Sequence, residues 1–121
     1  MGFNDEFRDR TKKFALRVIK LFQALPKTDE ARIIGKQLLR SGTSVGANFR
    51  AATRARSRAE FYSKLSIADE EADESLFWME ILTEAGIISG QKLESLTKEA
   101  LEITKITSVS RKTFKSKSKE K

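Results

Sequence analysis

Four arginines crowd one short segment of this 121-residue chain: Arg50, Arg54, Arg56 and Arg58. Arg50, Arg54 and Arg58 are spaced four apart, so a helix through them would set one ridge of guanidinium groups. Such a ridge is a contact surface for backbone phosphates when it is exposed. Lys12, Lys13 and Arg17 form a second, smaller basic patch. The competing reading spends the arginines on Glu60 and on acids further along the chain, or on pairs across a subunit boundary.

Just upstream, Ser41 and Asn48, with Ser44 beside them, stand where helical spacing calls for apolar residues. A buried amide left without partners costs about 1–3 kcal/mol. These residues could line a small-ligand pocket. They are read instead as a polar seam that bonds across to the next helix and fixes its register, because no matching catalytic base lies nearby in sequence. Gly42-Thr43-Ser44-Val45-Gly46 resembles a phosphate-gripping loop only superficially, since such a loop needs a lysine before its serine or threonine. Gly42 and Gly46, with Gly35 a heptad before Gly42, are read as sites of close helix approach.

Glu70, Glu71, Asp73 and Glu74 suggest a di-metal carboxylate site in a helical bundle. That chemistry draws on Glu-x-x-His pairs, and the chain has no histidine. Interhelical charge pairing is expected instead: folding back about Ser57 brings Arg40 near Glu74 and Arg54 near Glu60. The chain also lacks cysteine, so the usual general base, the commonest transition-metal ligand and any thiolate are missing. No catalytic residue, no metal and no cofactor are expected. Phe77 and Trp78 widen the apolar surface beyond one stripe, with Tyr62 and Phe49 joining them, which points to self-association.

The elements that must position these residues can be read from period and punctuation. A first helix is expected over 5–25, with Phe7, Thr11, Phe14, Val18, Leu21 and Leu25 on one face and Pro26 as its stop. Thr28 is expected to cap a second helix whose seam reads Ile34, Leu38, Ser41, Val45, Asn48, Ala52. The alternation passes through Ser41-Gly42-Thr43-Ser44 without a change of phase, so that helix should be continuous despite its poor formers. Ser57-x-x-Glu60 is a capping box opening a third helix with Phe61, Leu65, Ala68, Ala72, Ser75, Met79 and Leu82 inward. Gly86 should stop it and Ser89 cap the fourth, whose seam is Leu93, Leu96, Ala100, Ile103 and Thr107. The fold class is all-α: an antiparallel up-down-up-down four-helix bundle over residues 1–110.

The net charge of +7 is unevenly spread, for residues 111–121 carry six basic residues and one acid. That segment reads as a basic, disordered C-terminal tail, either polyanion-binding or merely solubilising. No apolar run approaches a membrane span, and no signal peptide is evident, so a cytoplasmic protein with no membrane role is expected.

Gln37-Leu38-Leu39-Arg40-Ser41, Ser44-Val45-Gly46-Ala47-Asn48, Ala59-Glu60-Phe61 and Glu70-Glu71-Ala72-Asp73-Glu74 before Trp78 carry a more specific signal. They resemble the four-helix-bundle family first noted in intervening sequences of bacterial 23S ribosomal RNA genes. The resemblance covers residues 7–106. It implies an antiparallel bundle assembled as a homopentameric ring, related to the basic, nucleic-acid-binding accessory variability proteins of diversity-generating retroelements, and it supplies no catalytic residue. The reading is therefore a homo-oligomer that binds RNA or DNA without sequence specificity through its basic surfaces. The alternative is a protein-interaction scaffold with a protein partner and no nucleic-acid role.

Overall fold

The computed structural model of the chain describes residues 2–119. They form four helices and, among the described residues, no strand: α1 (Phe3–Ala24), α2 (Asp29–Thr53), α3 (Arg58–Glu84) and α4 (Gly90–Lys119). Each packs antiparallel on the next, giving the expected bundle.

The joints follow from local chemistry. Leu25 leaves α1 in extended conformation before Pro26. The Thr28 hydroxyl accepts from the Ala31 amide and Asp29 and Glu30 occupy the first turn, so α2 starts with one orphan donor satisfied and its dipole complemented. Ser57 likewise accepts from the Glu60 amide at 3.0 Å. Only this half of the capping box forms among the described residues, because the Glu60 carboxylate turns to Arg56 at 3.5 Å. At the far end, Gly86 takes φ +73° and closes α3: its N–H bonds the Thr83 carbonyl and that of Ile87 bonds Leu82. That is the double bond of a Schellman stop. Ser89 caps α4 through the Lys92 amide.

The core is a column of Phe7, Phe14, Val18, Leu38, Val45, Phe49, Leu65, Met79, Leu82, Leu93 and Ile103 with alanines between them. The helix through Ser41–Ser44 is unbroken. Its poor formers are tolerated because the hydroxyls return to the backbone: Thr43 donates to Leu39 O, and Ser44 to Arg40 O, each at 2.7 Å. The glycines admit α1. A Cβ on Gly42 would lie 2.9 Å from Val18 Cγ2, and one on Gly46 would lie 3.2 Å from the Thr11 carbonyl oxygen.

Phe49, Asn48 and the C-terminal segment depart from expectation. Phe49 is 2% exposed and sets its ring edge against Phe7, centroids 4.7 Å apart, so it belongs to the core rather than to an outer face. Asn48 is only half-buried and donates to Ser44 O on its own helix at 2.9 Å. Residues 111–119 continue α4 where disorder was expected. The first turn of this stretch is tied down: Arg111 pairs with Asp69 at 2.9 Å, and the Phe114 ring lies 5.2 Å from Phe61 and 5.7 Å from Tyr62. Glu120 and Lys121 of the expected tail lie outside the described residues.

Candidate nucleic-acid interface

Because α2 is capped at Arg54 and α3 begins at Arg58, Arg50, Arg54 and Arg58 do not form the single helical ridge expected of them. Arg50 lies in the last turn of α2, Arg54 caps it, Arg56 stands in the joint and Arg58 opens α3. All four side chains are exposed, and together they crown one end of the bundle. Arg56 pairs with Glu60, while the Arg58 guanidinium rests 4.6 Å above the Phe114 ring. Arg50 and Arg54 make no ion pair among the described residues. The expected Arg54–Glu60 contact is therefore replaced by Arg56–Glu60, since the backbone turn carries Arg54 away.

The first-helix patch divides. Lys13 pairs with Asp9 at 3.0 Å, and Arg17 crosses to α4, donating to Ser95 Oγ at 2.8 Å. Lys12 instead faces a shallow groove of about 510 Å³ between α1 and α2, which Arg8 and Arg50 also line. Ala15, Thr43, Gly46 and Ala47 also line it, and Asp9 adds a carboxylate. Gly46 favours this geometry, because a Cβ there would crowd the Thr11 backbone and make the helices give by a few tenths of an ångström. In sequence Lys12 and Arg50 fall in separate patches, and nothing there singles out Arg8, which also pairs with Asp5. The spacing of Gly42 and Gly46 was the clue that the two helices, and so their cations, would meet.

Other charges are spent within the fold. Arg40 bonds Glu71 at 2.6 Å and also pairs with Glu74, as expected, so two of the four clustered acids hold α2 to α3. Arg10 grips Glu99 through two bonds of 2.7 and 2.8 Å. Hydrogen bonding to Glu99, Glu71 and Asp69 raises the pKa of Arg10, Arg40 and Arg111 respectively, so each stays charged wherever the fold exists. Among the described residues no group of three or more acids is arranged to hold a metal ion. No helix there is long and apolar enough to cross a membrane.

In the polar seam, Ser41 Oγ and Ser75 Oγ are 2.9 Å apart and fully buried, and Ser75 donates to Glu71 O at 2.9 Å. Ser41 thus joins α2 to α3 as expected, whereas Ser44 and Asn48 bond only within α2. On the opposite half of α3, Phe77 is 48% exposed and its ring meets Trp78 edge-on at 4.9 Å.

The halves of the bundle differ in charge. Residues 2–13, 43–70 and 105–117, which form the end holding the α2–α3 joint, carry 14 basic and 6 acidic residues. Residues 14–42 and 71–104 carry 8 and 10. The molecule is +8 at one end and −2 at the other by this division.

Residues 5–109 match the family model described as 23S rRNA-intervening sequence protein. No curated protein matches. A solved structure, a protein of unknown function from the S23 ribosomal protein family of Bacteroides thetaiotaomicron, superposes with a TM-score of 0.84 at 38% identity. The match covers 90% of this chain and 97% of that one.

Proposed function

For a chain that belongs to the 23S rRNA-intervening sequence protein family, we propose a homo-oligomeric protein that binds RNA or DNA without sequence specificity through its basic end. The observation that carries this reading is the meeting of Arg8, Lys12 and Arg50 along one groove, continuous in sequence with the exposed Arg54, Arg56 and Arg58. Phosphate contacts of this kind position a backbone and carry no sequence information. The scaffold alternative would have Arg50, Arg54 and Arg58 largely consumed in ion pairs, and the exposure of Arg50 and Arg54 supports the nucleic-acid reading over it. No enzymatic step is proposed, and no cofactor. Oligomerisation is assigned to the Phe77 and Trp78 face, where an exposed ring adjoins a buried Trp78 Nε1–H with no acceptor among the described residues. Five copies is the number the family resemblance implies.

A salt-titrated binding assay against structured RNA and duplex DNA tests the proposal. Affinity should fall steeply with salt, and the double variant Arg50→Ala, Arg54→Ala should bind more weakly and with a shallower slope, by about 0.9 per lost phosphate contact on duplex DNA. No binding at low salt, or binding unchanged by the double variant, would remove the basis of this reading.

A further inference from the structure

Next to the arginine crown, the beginning of α3 and the end of α4 build an aromatic surface outside the closed core. Phe61, Tyr62 and Phe114 are all half-buried. The Tyr62 and Phe114 rings are close to parallel, 17° apart with centroids at 5.7 Å, and Phe61 tilts against Phe114 at 5.2 Å. Cations stand over the rings: Arg58 at 4.6 Å from the Phe114 centroid and Arg111 at 5.6 Å from that of Tyr62. A shallow hollow of about 220 Å³ opens here, lined by Arg58, Ala59, Tyr62, Phe114 and Lys115.

Closing the end of a bundle needs only aliphatic side chains. Stacked rings with guanidinium planes over them and an ammonium group beside them offer something further, a layered surface that a base can join, on ring or guanidinium, while its phosphate meets a cation. Duplex bases are already stacked on one another and cannot use such a surface. Building on the nucleic-acid reading above, we propose that the Tyr62–Phe114 surface stacks unpaired bases, so that the protein prefers single-stranded over double-stranded segments. The positive charge of Arg58 and Lys115 along its lining commits the hollow to a polyanion that carries rings.

The test compares full-length protein binding a single-stranded oligonucleotide and the corresponding duplex at one salt concentration. Phe114→Leu and Tyr62→Leu keep apolar bulk and every cation, and thermal melting establishes that each variant is folded. Single-strand affinity should fall about tenfold in either variant, with duplex affinity within about twofold and the salt slope unchanged. A strand carrying 5-iodouracil should photocrosslink to the peptide 59–64, which holds the only tyrosine. Equal losses for both nucleic acids, or no loss in two folded variants, overturn the stacking site while leaving the phosphate surface standing. Failure of the unaltered protein to bind either probe at low salt overturns both proposals.

Discussion

Ser41 and Ser75 illustrate what single residues do in this bundle. Their hydroxyl oxygens lie 2.9 Å apart, either able to donate, and each also reaches a carbonyl of its own helix, Leu38 O at 3.3 Å and Glu71 O at 2.9 Å, so two buried hydroxyls share one short chain of bonds. A net hydrogen bond contributes about 0.5–1.5 kcal/mol, whereas one orphaned partner costs more. Ser41→Ala and Ser75→Ala should therefore each destabilise the fold, and the double variant should cost less than their sum by about 1 kcal/mol in denaturant melts. Additive costs would show that the two hydroxyls act separately. Ser41 was legible in the sequence because its phase matched Leu38 and Val45. Asn48 was misplaced because α2 sits between two partners and buries two adjacent stripes. The stripe toward α1 runs Gly35, Gly42, Phe49, a heptad whose first two members have no side chain to reveal it.

The glycines act at the scale of the element. Alanine would favour helix by about 1 kcal/mol over glycine, so Gly→Ala costs only where the added methyl has nowhere to go. On Gly35 it would meet Leu25 Cδ1 at 2.7 Å, the movable end of a flexible chain. On Gly42 it would meet three atoms of Val18, which is β-branched and stiff about χ1. Gly42→Ala should cost about 1–3 kcal/mol of thermal stability and Gly35→Ala less, and the reverse order would undo this account of the α1–α2 contact. Helix order, caps and most inward positions were legible because capping and stop residues punctuate a steady period. The end of α4 was not. Its lysines and serines predict disorder locally, and only the fold reveals that Asp69, Phe61 and Tyr62 await Arg111 and Phe114.

At the scale of the whole molecule, the side-chain types that ordinarily titrate near neutral pH are missing. The chain has no histidine or cysteine, and the arginines with resolved shifts have raised pKa values. A raised pKa adds stability that is fully present below the ordinary arginine value and is lost only as pH climbs through the raised one, far into alkali. Affinity for a polyanion at constant ionic strength should accordingly vary by less than about twofold between pH 6 and 9. A tenfold change in that window would reveal a titrating group this reading does not include.

The topology also sets a time course. Successive helices are joined by segments of four, four and five residues, 25–28, 54–57 and 85–89, and α1 returns to α4 through Arg10 with Glu99 and Arg17 with Ser95. Closing short loops is fast, and contacts local in sequence need little chain entropy to be surrendered before they form. The order this favours is consecutive zippering, with the charged α1–α4 seam shutting last. An interaction made after the transition state governs how long the folded molecule lasts rather than how quickly it arises. In this bundle that places the Arg10–Glu99 pair as the clasp on its lifetime.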